Sequence, residues 1–135
     1  MNITKVNLIA IASAASIFSS DVLAQEFSTH VLDVARGTGG RDIPVTLMQQ
    51  QKDGSWTQIA AARTDDNGRV RSFGEETQVE AATYKLTFDM SNYPDPGNAR
   101  FFPMIDVVFQ VTDPSVPYHV PIVVSPYGYS TYRGN

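Results

Sequence analysis

The sequence contains no cysteine, and this absence excludes several kinds of chemistry. Without thiols the chain has no cysteine nucleophile, no sulfur ligand for zinc or an iron–sulfur cluster, and no disulfide bond. A small domain without cross-links must rely on a modest hydrophobic core. We therefore expect several copies of the chain to associate and to bury apolar surface in doing so.

A strong excess of charge of one sign is also missing. The formal net charge of the 135-residue chain is −4 at pH 7, and its lysines and arginines form no basic block. Because nucleic-acid binding relies on clustered basic residues, we do not expect nucleic acid as a partner. Beyond the N-terminal region no long apolar run occurs, so we expect no membrane-spanning segment and no membrane partner.

The N-terminal region has the layout of a secretory signal peptide. Lys5 supplies a positive charge, residues 8–18 form an uncharged and mostly apolar run, and Ala24 is a small residue at a suitable cleavage position. The run is shorter than the roughly 20 residues that a membrane span requires. The sequence therefore predicts a signal peptide over residues 1–24 and one mature domain over residues 25–135, periplasmic or secreted. An uncleaved anchor or a buried helix is the alternative.

The mature domain has the pattern of an antiparallel β protein, in which short apolar or alternating runs are separated by turn residues. Asn67 and Gly68 are typical of a tight hairpin turn, because both tolerate a positive φ angle. Pro94, Pro96 and Gly97 exclude a long helix between residues 89 and 103. Predicted strands cover residues 29–34, 43–48, 56–63, 69–73, 84–88, 105–111 and 118–125.

The segments between these strands are predicted to be irregular. Residues 37–40 break the chain after the first strand, residues 74–82 form a loop with at most one helical turn, and residues 126–135 form a bend and a tail. Seven to eight short strands with frequent turns favour an all-β fold. We therefore expect a two-sheet antiparallel β-sandwich with at most one short helix.

Only two histidines occur, His30 and His119, and each lies in a predicted strand. Histidine is the side chain that exchanges a proton near neutral pH without large tuning. The two residues lack the close spacing of common metal sites, so we expect no metal site and no cofactor. Taken alone, a histidine in a strand is more often structural than catalytic.

The C-terminal segment is aromatic and ends in Arg133, Gly134 and Asn135. A frayed end with exposed tyrosines is one interpretation. The other is a tail folded into a pocket, where Arg133 offers planar hydrogen-bond donors to an oxygen-rich ligand. Composition and spacing leave both interpretations open.

Three segments of the chain together resemble the motifs of the 5-hydroxyisourate hydrolases, which belong to the transthyretin-like family. They are residues 28–33 (Ser-Thr-His-Val-Leu-Asp), residues 64–69 (Thr-Asp-Asp-Asn-Gly-Arg), and the pair formed by residues 118–121 (Tyr-His-Val-Pro) and 125–134 (Ser-Pro-Tyr-Gly-Tyr-Ser-Thr-Tyr-Arg-Gly). The likeness covers nearly all of the mature domain. It implies a transthyretin-type β-sandwich and a homotetramer with active sites in a channel at the dimer–dimer interface.

The same resemblance implies which residues form the site. His30, His119 and Arg69 match the catalytic residues of the family, and its terminal substrate-binding tetrapeptide corresponds to Tyr132, Arg133, Gly134 and Asn135. The family has serine where this chain has Asn135, which puts any role of that hydroxyl in doubt. Residues 37–43 also depart from the usual Gly-x-Pro-Ala turn, a change that we expect to alter a loop rather than the site.

The implied substrate is an oxidised purine, whose ring opens at an amide-like carbonyl. Such hydrolysis needs an activated water, stabilisation of a developing oxyanion, and a proton for the departing nitrogen. We expect one histidine, with His119 preferred, to act as the base, and Arg69 to stabilise the charge. His30 would then position the water or return the proton, while Tyr132 and Arg133 close the pocket.

Two other functions remain open at this point. A transthyretin-like protein that binds or transports a hormone-type small molecule without catalysis is the main alternative, because fold does not fix function. An exported structural or adhesive sandwich domain is the third, and it would show neither turnover nor small-molecule binding.

Overall fold

The computed structural model describes residues 26–97 and 99–135, and the predicted signal peptide at residues 1–24 lies outside them. The described residues form two β-sheets and contain no helix, so none of them belongs to a helix that could cross a membrane. The strands are β1 (Phe27–Asp33), β2 (Thr38–Gly39), β3 (Pro44–Gln50), β4 (Trp56–Arg63), β5 (Arg69–Val70), β6 (Ala82–Asp89), β7 (Met104–Val111), β8 (Tyr118–His119), β9 (Ile122–Ser125) and β10 (Gly128–Thr131).

Strand β1 is the centre of the first sheet, whose order is β10-β9-β1-β2 with β5 and β8 also paired to β1. Its side chains alternate between the two faces, as the pleat of a strand requires. Phe27, Thr29 and Val31 are buried, whereas Ser28 and His30 are partly exposed on the opposite face. One edge of β1 pairs in parallel with β8 and β9, and the other pairs antiparallel with β5 and β2.

The second sheet has the order β4-β3-β6-β7, is wholly antiparallel, and packs its inner face on the first sheet. On β6, Tyr84, Leu86 and Phe88 are fully buried and alternate with partly exposed residues. The rings of Phe27 and Tyr84 lie 4.8 Å apart between centroids, within the range of favourable aromatic pairs. This inter-sheet contact fixes which face of β1 points into the core.

The predicted all-β sandwich is confirmed, and the described residues form ten strands rather than seven or eight. The extra strands are short. Strand β2 lies inside the predicted break at residues 37–40, and β10 lies in the predicted bend and tail. Pro126 and Gly128 make the tail resemble a turn in sequence, but antiparallel pairing with β9 orders four of its residues. The predicted strand at residues 69–73 is reduced to β5.

The predicted strand at residues 118–125 is divided into β8 and β9, and both run parallel to β1. The division falls at Pro121, which has no N–H group to donate to the ladder. Just before it, the Val120 N–H donates to the Ser28 carbonyl at 3.0 Å. The first sheet is therefore mixed rather than purely antiparallel, and the parallel pairing brings β8 alongside the start of β1.

Candidate active site

The register of the first sheet brings four polar side chains together on its outer face. His30 of β1 lies opposite Arg69 of β5, and Ser28 of β1 lies opposite His119 of β8. Directly opposed residues project to the same face, and so do residues two positions apart on one strand. Because β5 and β8 flank β1 on its two edges, Arg69 and His119 lie on either side of Ser28 and His30.

The turn before β5 fixes the position of Arg69. The Asp65 carboxylate accepts hydrogen bonds from the backbone N–H groups of Asn67 and Arg69, each at 2.9 Å. The bond from the Arg69 N–H, and to a lesser extent that from Asn67, hold the pKa of Asp65 below its ordinary value. Gly68 has a φ angle of 77°, which suits glycine, and its carbonyl accepts from the Val31 N–H at 2.8 Å. The turn is thus tied directly to β1.

His30 donates from one ring nitrogen to the backbone of that turn. Its Nε2 lies 3.0 Å from the carbonyl oxygen of Asn67. Since a carbonyl can only accept, Nε2 carries the proton in the neutral ring and Nδ1 carries the lone pair. Burial first, and the charge of Arg69 second, lower the pKa of His30 below its ordinary value of 6.5. The ring is therefore neutral at neutral pH and can accept a proton at Nδ1.

His119 is held on two sides. Its Nδ1 lies 2.8 Å from the Ser28 Oγ. Its backbone carbonyl accepts a hydrogen bond from the Gly134 N–H at 2.8 Å, and a Cβ atom at Gly134 would collide with the imidazole Cδ2. Burial first, then the positive charges of Arg69 and His30, lower the pKa of His119. A neutral imidazole is thus clamped between β1 and the tail.

An open cavity of about 790 Å³ lies beside this arrangement. A guanidinium, a neutral imidazole and the chain terminus face the same space, which suits an oxygen-rich ligand that must be both bound and attacked. The lining residues are Glu26, Ser28, Thr29, Arg69, Val70, Arg71, Pro117, His119, Arg133, Gly134 and Asn135. Five of the seven predicted site residues are among them: Arg69, His119, Arg133, Gly134 and Asn135.

The other two predicted site residues do not line this cavity. His30 lies next to it, as the cross-strand partner of Arg69. Tyr132 is exposed and lines a separate depression of about 240 Å³, which Arg133 also borders. The Arg133 guanidinium lies over the Tyr118 ring, 4.8 Å from its centroid. The tail is therefore ordered against β8 rather than frayed, and the binding role of Tyr132 stays a prediction.

The other six lining residues were not assigned a role from the sequence, among them Ser28, Arg71 and Glu26. Ser28 contacts His119, Arg71 lies 3.9 Å from the Asp65 carboxylate, and Glu26 stands at the start of β1. The spacing of two between Ser28 and His30 was a usable signal, because strand residues two apart share a face. The partner of Ser28 is 91 residues distant and could not be read from that spacing.

The part of the chain that the structure describes holds no grouped metal ligands, and its second cavity contains neither histidine. Within residues 26–97 and 99–135 no three side chains of the histidine, cysteine, aspartate or glutamate type are grouped so as to hold a metal ion. A second cavity, of about 450 Å³, lies where β3 begins and β6 ends. It is lined by Arg36, Arg41 and Arg63 among others and contains neither histidine.

The chain is similar to proteins of one family over most of its length. A family model described as the HIUase/Transthyretin family matches residues 27–134. A protein of Caenorhabditis elegans named as a probable 5-hydroxyisourate hydrolase is 37% identical over 125 residues, which cover 92% of each chain. The 5-hydroxyisourate hydrolase of Salmonella typhi is 35% identical over 130 residues, covering 96% of this chain and 92% of its own.

Two solved structures share the architecture. Sea bream transthyretin in complex with thyroxine superposes with a TM-score of 0.73 at 29% identity, covering 81% of this chain and 94% of that one. The 5-hydroxyisourate hydrolase of Klebsiella pneumoniae superposes with a TM-score of 0.67 at 27% identity, covering 82% of this chain and all of that one. The transthyretin-type sandwich expected from the motifs is thereby confirmed.

Proposed function

The chain belongs to the HIUase/transthyretin family, and on that premise we propose that it is the hydrolase that opens 5-hydroxyisourate to 2-oxo-4-hydroxy-4-carboxy-5-ureidoimidazoline in urate degradation. The observation that carries the proposal is the placement of His30, Arg69 and His119 around one strand, beside one cavity. Relatives named for this activity match over almost the whole chain, which supports the same reading.

The chemistry can be assigned to side chains of the site. His119 takes a proton from water as the water oxygen bonds to the amide-like carbonyl carbon, and such base assistance is typically worth ~10²–10⁴-fold. Arg69 donates to the oxygen on which negative charge develops. The ring C–N bond then breaks, and the proton returns to the departing nitrogen. Nδ1 of His30 holds the water or relays that proton, while Arg133, Tyr132 and the chain terminus orient the substrate.

A homotetramer is part of the proposal. Strands β10 and β7 each stand at one end of their sheet, and an unpaired strand edge is a template for pairing with another chain. Apolar side chains also stand exposed near these edges, among them Met104, Val108 and Tyr129. Because the site opens on the outer face of the first sheet, two such faces brought together would close it into a channel between dimers. Light scattering that gives a monomeric mass would contradict this part.

Export to the periplasm or the medium is also proposed, on the layout of residues 1–24. The full-length gene product, expressed in a bacterial host, should yield a mature chain that begins at Gln25. Mass spectrometry of the soluble periplasmic fraction measures this start directly. An intact Met1 on the soluble protein would overturn the assignment.

Ligand transport without catalysis is the competing function, because the sea bream protein that binds thyroxine has the same architecture. Mixing the purified protein with uricase and urate, and following the ultraviolet signal of the intermediate, separates the two. An enzyme shortens the lifetime of 5-hydroxyisourate, whereas a carrier leaves it unchanged. His119→Ala and Arg69→Ala, checked to be folded, should barely speed the decay. Arg41→Ala is the matched control, since Arg41 is exposed at the other cavity. Near-normal turnover by either site variant would refute the mechanism.

A further inference from the structure

The contact between Ser28 and His119 has no part in the chemistry described so far. The Ser28 Oγ and the His119 Nδ1 lie 2.8 Å apart, although the residues are 91 positions apart in sequence. Their strands pair in parallel register at this point, and the Val120 N–H donates to the Ser28 carbonyl at 3.0 Å. Thr29 adds a buried hydrogen bond from its hydroxyl to the Val120 carbonyl at 2.7 Å. Hydrogen bonds from Ser28 and Thr29 to the backbone of Val120 therefore hold the two strands in place beside the contact.

The orientation of the imidazole follows from its two neighbours. Nδ1 faces Ser28, and the Cδ2 edge faces Gly134, where no side chain could fit. Nε2 is the nitrogen left over, and His119 lines the cavity. A base that works through Nε2 needs its Nδ1–H to be held by an acceptor, which fixes both the tautomer and the ring plane. Among the described residues, no carboxylate makes a hydrogen bond or ion pair with His119. Ser28 supplies the nearby acceptors: its hydroxyl oxygen lies 2.8 Å from Nδ1, and its backbone carbonyl also favours the protonated ring.

We propose that Ser28 is a positioning residue that accepts the Nδ1–H of His119 and so leaves the Nε2 lone pair directed at the attacking water. This inference rests on the proposed hydrolase function. A neutral hydroxyl orients the ring without adding negative charge, whereas a carboxylate in the same place would favour the protonated imidazolium. The His119 imidazole therefore stays neutral at neutral pH, and its Nε2 lone pair still has a fixed direction.

Other charged groups also face His119, and the test must hold them constant. Arg69 approaches from β5 and His30 from β1, and both oppose protonation of His119. The remaining charged groups around the same cavity are Glu26, Arg71, Arg133 and the terminal carboxylate of Asn135. Variants confined to Ser28 leave all of these groups in place.

Steady-state kinetics on the mature protein, residues 25–135, test the role of Ser28 in positioning His119. Ser28→Ala should lower kcat about tenfold, which is the factor that net loss of one such hydrogen bond gives, with KM within about twofold. Ser28→Thr keeps the hydroxyl and should restore most of the rate. Ser28→Asp should raise the pKa of His119 and move the acid limb of the kcat profile to higher pH. Ser115→Ala, which removes a hydroxyl bonded to Asp113 in a distant turn, is the matched control and should match the wild type.

Nitrogen-15 NMR provides a readout that does not depend on turnover. The sequence has two histidines, so the signals that disappear in a His119 variant belong to His119 and the remaining ones to His30. The wild-type protein should show His119 with the proton on Nδ1, and Ser28→Ala should show a mixture of tautomers. A wild-type proton on Nε2, or a Ser28→Ala kcat within twofold of an active wild type, would overturn the proposal. A wild type without hydrolase activity would instead refute the proposed function, and the tautomer measurement would still decide what Ser28 does to His119.

Discussion

Replacing Thr64 with valine should destabilise the fold through two specific hydrogen bonds. Thr64 is 4% exposed and lies between the end of β4 and the turn that carries Arg69. Its hydroxyl donates to the Gly40 carbonyl at 2.6 Å and accepts from the Ile43 N–H at 2.9 Å. Valine has nearly the same shape but no hydroxyl, so the substitution removes both bonds and leaves no comparable cavity.

The magnitude follows from the two backbone groups left behind. A buried donor or acceptor without a partner costs about 1–3 kcal/mol, so the loss of both partners should lower the free energy of unfolding by about 2–6 kcal/mol. For a domain of about 110 residues, 1 kcal/mol corresponds to roughly 4 °C in the melting temperature. The melting temperature should therefore fall by roughly 8–24 °C.

Urea denaturation followed by circular dichroism measures this change. The protein concentration should be the same in every experiment, because the proposed tetramer would make stability depend on concentration. Thr83→Val is the matched control, since the exposed Thr83 hydroxyl bonds only to the Gln110 side chain at 2.9 Å. That control should change the free energy of unfolding by less than about 0.5 kcal/mol. If Thr64→Val stays within the same margin, the two bonds do not hold the residue 40–43 segment to the turn, and the reasoning fails.

Three further predictions concern the site and its support. Burial and the charge of Arg69 lower the pKa of both histidines, and the base works when it is neutral. The acid limb of kcat/KM should therefore have its midpoint below pH 6.5, and a midpoint above 6.5 would contradict this. Gly134→Ala should displace the His119 ring and lower kcat about 100-fold with little change in melting temperature, whereas an unchanged kcat would mean that the tail does not position the ring. Tyr93→Phe should destabilise the protein by about 1–3 kcal/mol, because its hydroxyl donates to the buried Asp33 carboxylate at 2.7 Å, and should leave kcat unaltered; calorimetry and the urate-coupled assay measure the two quantities.

The alternation in the sequence was sufficient to predict much of the sandwich and the strand that carries His30, but not the face on which that side chain lies. It was not sufficient to bring β5 and β8 to the two edges of β1, because that register depends on packing between residues far apart in the chain. The motif resemblance supplied Arg69 and His119, and the structure supplies their arrangement. Strand β10 escaped prediction because its proline and glycine suggest a turn, while pairing with β9 decides its conformation.

The tail illustrates a different limit of sequence reasoning. Tyr132 and Arg133 are neighbours in the chain and match one family tetrapeptide, which suggested a shared pocket. In extended backbone, adjacent side chains point to opposite sides. Arg133 reaches the cavity beside His119, whereas Tyr132 lies in the depression next to Val108. The two residues share that depression, but Arg133 alone also lines the cavity beside His119.

The arrangement around β1 makes hydrolysis and packing inseparable. A slip of one residue in this strand would turn Ser28 and His30 inward and expel Phe27 and Val31 to solvent, so a misaligned molecule would lose its interior and its chemistry at once. Sequence changes should accordingly be tolerated in segments such as residues 37–43. Insertions within β1 should not be tolerated, because they shift the register. Anyone transplanting this activity to another sandwich would need to copy one strand and its two short neighbours in register, rather than a set of loops.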